Sequence, residues 1–411
     1  MASEIPEIIT ITAATLIAEL YRKRCLVTIP SSHPHSWTCK VSEVLGILGR
    51  MTANLVTIAT RKGLFLARSE DDRRTWQISG PHFPMSGVYA VAIDTRRDLV
   101  RLLAGVDSSH FGPAVATSDD LGKTWDEPDQ RPVAFPEDTG TSLTRVWQLA
   151  PGPAHQPDVV YAGTEPQGLF RSTDGGVSYQ FVRGLWDHPH RTEWGAGFGG
   201  PAVHTVLPHP KDEQRLTVAM STGGVYRTTD GGDTWAAVNR GISAVFMPDP
   251  FPEFGQCVHK VTRDLSRPEQ LFLQNHHGVY RSENEGDSWE PIEDTLPCDF
   301  GFTMVAHPHR SGVIYSFPVA SEQRFPADSR CRVYRSENAG KSWQPLSDGL
   351  PQEPFYGIVL RDAMCVDDAP TAGVYFGTRT GEVYASRDEG ESWQQIAAHL
   401  PDVLCVRAAT L

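Results

Sequence analysis

The sequence predicts an all-β protein: one seven-bladed β-propeller closed by its own C-terminal strand. One octapeptide pattern, Ser/Thr-x-Asp/Asn-x-Gly-x-Ser/Thr-Trp, occurs seven times, and its final aromatic residues lie 49 to 56 residues apart. A repeat of about fifty residues that holds four short strands is typical of a propeller blade. The copies are SEDDRRTW at 69–76, SDDLGKTW at 118–125, STDGGVSY at 172–179, TTDGGDTW at 228–235, SENEGDSW at 282–289, SENAGKSW at 336–343 and SRDEGESW at 386–393.

Each octapeptide has the residue types of a tight turn between two strands. Its Asp or Asn accepts hydrogen bonds from the backbone of its own turn, and its Gly adopts the positive φ that the turn requires. The first copy departs from the pattern with Arg73 at the Gly position, and the third ends in Tyr179. We interpret the octapeptide as the turn between the third and fourth strands of a blade, which are strands c and d counted outward from the channel.

The two ends of the repeat region are complementary. Blade 1 begins at Leu55 with segments that match strands b, c and d, and it has no strand a of its own. A spare strand follows blade 7, at 403–411. Pairing it with blade 1 removes the exposed sheet edges of an open ring. We therefore predict a propeller over 53–411 and an N-terminal extension over 1–52 outside it, with Met51 placed as a candidate start codon.

Composition excludes several classes of partner. The chain has 411 residues, a formal net charge of −13 and no run of Lys or Arg, so neither nucleic acid nor an anionic membrane surface is an expected partner. No apolar stretch approaches the ~18 residues of a membrane span. The seven cysteines form no CxxC pair and the N-terminus lacks the pattern of a secretory signal, so we expect free thiols and a cytoplasmic protein. Oligomeric state is left open.

The octapeptides resemble the Asp-box, or BNR, repeats of sialidases, xyloglucan-degrading hydrolases, sortilin-type receptors and photosystem-assembly propellers. The chain is most similar to bacterial BNR-repeat propellers described as sialidase-like or glycosyl-hydrolase-like, over 53–411. The resemblance implies the propeller fold and is less specific for activity, because function depends on the site that a fold carries. It does not extend to true sialidases, which have six blades and a Phe/Tyr-Arg-Ile-Pro segment that is absent here.

One position near the start of strand a carries polar or aromatic residues in almost every blade. A position selected only for packing would repeat apolar types, as the residue before it does. It is occupied by Tyr89, Trp147, His204, His259, Thr303, Tyr356 and Leu404. We therefore expect this position to contribute side chains to a ligand site, on the face formed by the d–a and b–c loops.

Loops on the same face supply further candidates. The longest insertion, at 184–204, lies between blades 3 and 4, and long loops on a rigid scaffold commonly carry binding groups. Aromatic rings beside Arg, Glu, Asn and His suit a sugar-like small molecule or oligosaccharide. The alternative is a polar loop that caps the channel and satisfies its own hydrogen bonds. The ligand-binding candidates are His188, Arg191, Trp194, His204, His259, Lys260, Gln274, Asn275, His276 and Tyr356.

Three functional hypotheses remain open. A glycosidase-like or lyase-like enzyme requires two carboxylates at about 5–10 Å, for which the candidates are Glu165, Asp187 and Glu193. A metal-assisted hydrolase or lyase would use a divalent metal ion held by His204, His259 and His276, with one open position. The third hypothesis is a non-catalytic binding or assembly scaffold.

Overall fold

The computed structural model describes residues 53–126, 132–197 and 200–411. They form seven antiparallel sheets, which confirms the predicted all-β, seven-bladed propeller. The predicted extension 1–52 lies outside the described residues. No helix in the described part of the chain is long and apolar enough to cross a membrane.

The strands are numbered β1 to β27 in chain order. Each blade is assembled from consecutive strands, except that β27 joins blade 1. Blade 1 contains β1 (Asn54–Thr60), β2 (Gly63–Ser69) and β3 (Gln77–His82), and blade 2 contains β4 (Gly87–Asp94), β5 (Arg101–Ser108) and β6 (Gly112–Ser118). Blade 3 contains β7 (Arg145–Pro151), β8 (Val160–Glu165), β9 (Gly168–Ser172) and β10 (Gln180–Phe181). Blade 4 contains β11 (Val203–Pro208), β12 (Leu216–Met220), β13 (Gly224–Thr228) and β14 (Ala236–Ala237). Blade 5 contains β15 (Val258–Arg263), β16 (Leu271–Asn275), β17 (Val279–Ser282) and β18 (Glu290–Pro291). Blade 6 contains β19 (Gly301–Ala306), β20 (Ile314–Pro318), β21 (Val333–Ser336) and β22 (Gln344–Leu346). Blade 7 contains β23 (Met364–Val366), β24 (Val374–Gly377), β25 (Val383–Ser386) and β26 (Gln394–Ala397), and β27 (Val403–Thr410) follows it. The described helices are α1 (Arg183–Trp186) and the 3-10 helices Glu137–Thr139, Pro189–Glu193 and Ala327–Ser329.

The ring closes as predicted, because β27 is the inner strand of blade 1. It pairs antiparallel with β1 from Asn54 opposite Thr410 to Thr60 opposite Val403. The inner strands contact one another in a closed cycle, in the order β27, β4, β7, β11, β15, β19, β23 and back to β27. Apolar side chains fill the spaces between neighbouring sheets, so each blade buries its faces against the next.

The octapeptides form the turns between strands c and d, and blade 4 shows the hydrogen bonding. The Thr228 hydroxyl donates to Asp230 at 2.6 Å and accepts from the Gly232 amide at 3.0 Å. Asp230 also accepts from the Thr234 amide, while Gly232 has a φ of +109° that suits glycine. The turn therefore depends on the residue types that define the repeat.

Arg73, which replaces Gly in the first octapeptide, has a structural role of its own. It adopts a φ of +62°, and its buried guanidinium pairs with the carboxylate of Asp367 in blade 7 at 3.1 Å. The same guanidinium donates to the carbonyl oxygen of Thr371 at 3.0 Å. Arg73 thus connects blade 1 to blade 7 at the point where the ring closes.

Five inner strands share an irregularity near their first residues. Their pairing with strand b skips one residue near the strand start, which is a β-bulge. The bulged residues are Tyr89, Trp147, His204, His259 and Leu404. In blade 6 the pairing skips both Phe302 and Thr303. The variable position found in the sequence is thus the bulge position in these five blades.

Candidate functional site

A cavity of about 930 Å³ occupies the centre of the face formed by the d–a and b–c loops. Five of the bulged or skipped residues of the inner strands contribute to its wall, and loop residues complete it; the five are Tyr89, Trp147, His259, Phe302 and Leu404. The lining residues are Arg61, Tyr89, Arg145, Trp147, Gly197, Ser221, Thr222, Phe246, Cys257, His259, His276, His277, Phe302, Arg324, Ile358, Leu360, Arg361, Asp362, Arg379 and Leu404.

Three of the five arginines that line the cavity are held by carboxylates. Arg145 pairs with Asp107 at 3.1 Å and with Glu165 at 3.1 Å, and its guanidinium lies 4.1 Å from the centroid of the Tyr89 ring. Arg61 and Arg379 share Asp402, at 3.2 and 3.0 Å. These contacts fix the three guanidiniums and balance part of their charge.

The other two arginines, Arg324 and Arg361, have no carboxylate partner among the described residues. The Arg324 guanidinium lies 4.1 Å from the centroid of the Phe300 ring. Arg361 donates to the Ser221 hydroxyl at 3.3 Å, while its buried Nε has no protein partner. Burial lowers the pKa of the Arg361 guanidinium from its usual value. The nearby Asp362 opposes this shift. The cavity therefore holds two guanidiniums that lack a direct ion pair with a described carboxylate.

Cys257, His259 and His276 form a cluster on one wall of the cavity. Their side-chain ligand atoms all lie within 4.8 Å of one another, and Cys257 Sγ is 3.7 Å from His259 Nε2. His259 Nδ1 lies 2.6 Å from the Gly301 carbonyl oxygen, which can only accept, so Nδ1 carries the proton. Burial lowers the pKa of His259 well below its usual range and raises that of the Cys257 thiol.

Lys260, expected to bind ligand, instead belongs to a buried ion cluster. Its Nζ donates to Asp362 Oδ1 at 2.8 Å, and the same oxygen accepts from Arg407 of β27. The neighbouring cations hold the pKa of Asp362 far below its usual value even though burial acts to raise it. The cluster joins blades 5 and 7 to the closing strand, so Lys260 is committed to structure.

The three carboxylates expected to act in catalysis occupy different surroundings. Glu165 accepts hydrogen bonds from Arg145 and, at 2.8 Å, from Trp147 Nε1. Asp187 follows α1, half exposed, with Arg183 3.8 Å away. Glu193 lines a separate cleft of about 330 Å³ with Phe254. No contact joins two of these carboxylates into a pair.

The described part of the 184–204 loop packs against itself and against Tyr226 of blade 4. Trp194 is buried and its Nε1 donates to the Tyr226 hydroxyl at 2.8 Å. His188 caps the 3-10 helix Pro189–Glu193 by accepting from the His190 amide. Arg191 covers the Trp186 ring at 4.0 Å. These candidate ligand-binding residues therefore shape the loop, and none of the three lines the central cavity.

Three further candidates are buried and hydrogen-bond within the protein, although Asn275 Oδ1 is left without a protein partner. His204 has one ring nitrogen 3.1 Å from the Thr205 hydroxyl and the other 3.0 Å from the Val258 carbonyl oxygen, so neither is free for a metal ion. The Gln274 amide donates to the Asp299 carbonyl oxygen at 2.8 Å, and Asn275 donates to Ser243. The proposed set of three histidines is thereby corrected, because Cys257 takes the place of His204.

Two residues that the sequence placed at the variable position of strand a, Tyr356 and Thr303, differ from that expectation in the structure. The inner strand of blade 7 is β23, which begins at Met364, so Tyr356 is not on it. Tyr356 is exposed and packs against Phe325 with ring centroids 5.3 Å apart. In blade 6 the residue that lines the cavity is Phe302, while Thr303 is fully buried.

Sequence reasoning missed Arg145, Arg361 and Cys257. Cys257 is two residues before His259, and side chains two apart on an extended strand point to the same face. That spacing could have identified the pair. Arg145 begins β7 and Arg361 precedes β23. Neither belongs to a motif, so no comparable signal marked them.

The fold and the cavity define a seven-bladed propeller that resembles glycoside-hydrolase propellers. No protein-family model matches the chain. The chain is similar to the oligoxyloglucan-reducing end-specific xyloglucanase of Emericella nidulans, with 23% identity over 48% of this chain and 24% of that protein. It is also similar to xyloglucanase Xgh74A of Acetivibrio thermocellus, with 27% identity over 62% of this chain and 34% of that protein. The chain thus spans about a third or less of the length of these relatives.

Among solved structures, a putative 6-phosphogluconolactonase from Bacteroides uniformis is similar with a TM-score of 0.51 and 11% identity. The match covers 87% of this chain and 100% of that one. At this identity the likeness shows the fold alone.

Proposed function

We propose that this propeller binds a carbohydrate-like ligand with an acidic group in its central cavity. The observation that carries the proposal is that two guanidiniums, Arg324 and Arg361, have no direct ion pair with a described carboxylate. They line a cavity that also presents the rings of Trp147 and Phe302. Guanidinium groups bind carboxylates through two parallel hydrogen bonds, and aromatic rings pack against the apolar face of a sugar ring.

Electrostatics favours an anion at this site. The whole chain carries a formal net charge of −13, yet five arginines line the cavity. A concave site lined by one sign of charge concentrates ligands of the opposite sign. A smaller cavity of about 480 Å³ lies at the opposite face, where Arg215 and Arg227 are paired with Glu285 and Asp287. The smaller cavity therefore offers an anion fewer free cations.

Sequence similarity to xyloglucanases supports a carbohydrate ligand, whereas the cavity favours binding over hydrolysis by a carboxylate pair. Of the described residues that line the cavity, only Asp362 carries a carboxylate. That carboxylate forms ion pairs with Lys260 and Arg407. Canonical glycoside hydrolysis requires one carboxylic acid and a second carboxylate across the bond. We infer a ligand-binding propeller, in line with the scaffold hypothesis, rather than a xyloglucanase.

Calorimetric titration with glucuronate and glucose tests this function, because the two sugars differ chiefly in the carboxylate. We expect glucuronate to bind at least about tenfold more tightly, since a hydrogen bond to a charged group contributes about 1.5–3 kcal/mol. Arg361→Ala and Arg324→Ala should each abolish most of that difference, and Trp147→Ala should weaken both sugars.

Arg310→Ala is the matched control, because Arg310 is an exposed arginine of the opposite face, paired with Glu337 and Glu389. It should leave the affinity for glucuronate unchanged. Equal affinity for both sugars, or an equal loss in Arg310→Ala and Arg361→Ala, would contradict the proposal.

A further inference from the structure

The wall of the cavity carries a group of three potential metal ligands from blade 5. Cys257 directly precedes β15, His259 is the bulged residue of that strand, and His276 directly follows β16. The His276 amide donates to the Cys257 carbonyl oxygen at 2.9 Å, which holds the backbones of these two residues side by side. The bulge turns His259 toward them, so the fold itself gathers the three side chains.

The geometry of the group matches a tetrahedral site. With bonds of about 2.3 Å to sulfur and 2.0–2.1 Å to nitrogen, neighbouring ligand atoms of a tetrahedral zinc ion lie about 3.3–3.6 Å apart. The observed distance from Cys257 Sγ to His259 Nε2 is 3.7 Å, and all three ligand atoms lie within 4.8 Å of one another. Coordination requires the His276 imidazole to move closer to the other two ligands, and this side chain is only half buried.

Hydrogen bonding prepares the histidines for coordination. Because His259 Nδ1 donates to the Gly301 carbonyl oxygen, the lone pair is on Nε2, which is the nitrogen nearest the thiol. Histidine ligands of metal ions usually donate their other nitrogen to a backbone carbonyl or a carboxylate in this way. The ring nitrogens of His276 have no hydrogen-bond partner among the residues that the structure describes, so they are available.

We propose that Cys257, His259 and His276 bind a divalent metal ion of the zinc class. One thiolate and two imidazoles suit zinc or cobalt(II), whereas magnesium and calcium prefer oxygen ligands. The thiol releases its proton when the metal binds. All three residues line the cavity, so the fourth position is open to water or to an oxygen atom of a bound ligand. Zinc sites with three protein ligands and one open position are typical of catalysis.

Cobalt(II) titration of the full chain, after treatment with a chelator, tests the site without any sugar and therefore independently of the proposed function. We expect one equivalent to bind, with a thiolate-to-cobalt charge-transfer band and the intense visible bands of tetrahedral cobalt, and zinc should displace it. Cys257→Ser should eliminate the charge-transfer band. His259→Gln and His276→Gln should weaken binding at least about tenfold.

Two variants serve as controls. Cys298→Ser removes another partly buried thiol, and His309→Gln removes an exposed imidazole of the opposite face that lies 3.0 Å from the Asp368 carbonyl oxygen. Both should bind cobalt(II) like the unmodified chain. Because His276 is only half buried, His276→Gln is expected to fold even if a change at Cys257 impairs folding. Absence of stoichiometric binding, a charge-transfer band that persists in Cys257→Ser, or equal losses in the control variants would overturn the proposal.

Discussion

Replacement of Asp362 by alanine should destabilise the whole ring. Asp362 lies between the buried Lys260 and the partly buried Arg407, and it connects blade 7 to blade 5 and to the closing strand. Removing one partner of a buried ion pair costs about 3–5 kcal/mol, because the remaining charge is left unpaired in the interior. This is a large share of the roughly 5–15 kcal/mol by which a folded domain is stable.

The expected change is measurable by calorimetry and by urea unfolding. The propeller unit has about 360 residues, and an unfolding entropy of about 2.1 cal/mol/K per residue converts 3–5 kcal/mol into a Tm loss of about 4–7 °C. Lys260→Met is the matched variant, because it leaves Asp362 paired with Arg407 and should cost less than half as much. A loss below about 1 kcal/mol for Asp362→Ala, or a larger loss for Lys260→Met, would refute the reasoning.

Three further predictions concern closure and the octapeptide turns. Deletion of 403–411 should prevent folding, which rapid proteolysis would reveal. The deletion removes three buried Val and Leu side chains, and each contributes about 1.5–3 kcal/mol to stability. Protease resistance equal to that of the full chain would contradict the closure by β27. Asp230→Ala should lower the Tm, whereas Asp230→Asn should nearly preserve it because blade 5 has Asn284 at this position. Equal Tm values for the two variants would contradict the role of Asp230 as the hydrogen-bond acceptor of its turn. Hydrogen bonds from Thr124 lower the pKa of Asp120 to about 2, so the stabilising contribution of this carboxylate is complete above its unfolded-state pKa of about 3.9 and is lost as the pH falls toward 2. Asp120→Asn should therefore lose less Tm than the unmodified chain between pH 5 and pH 2, and parallel losses would contradict the assignment.

The fold was predictable because its information is local and repeated. Each octapeptide specifies a turn, so seven copies fix the number of blades and the places where strands c and d begin and end. The missing strand of blade 1 and the spare strand at 403–411 then determine how the ring closes, and β27 occupies that place. Arg73 shows the limit of this reasoning, because its buried pairing with Asp367 depends on a blade 294 positions away in sequence.

The site was harder to predict because the sequence does not show which polar groups satisfy one another. Lys260 and His259 are adjacent on β15, yet Lys260 is paired with Asp362 while His259 remains on the cavity wall. Gln274 and Asn275 have the residue types of ligand-binding groups, but backbone carbonyl oxygens already accept from their amides. The aligned bulge position did indicate the right part of the fold for Tyr89, Trp147 and His259, since a repeat carries its geometry with it.

The most direct test of the proposed function is the position of a bound acidic sugar in a crystal structure. Crystals of the full chain soaked in glucuronate should show its carboxylate between Arg324 and Arg361, with the sugar ring against Trp147 or Phe302. Ordered glucuronate at the opposite face alone, or an empty central cavity at a saturating concentration, would contradict the account.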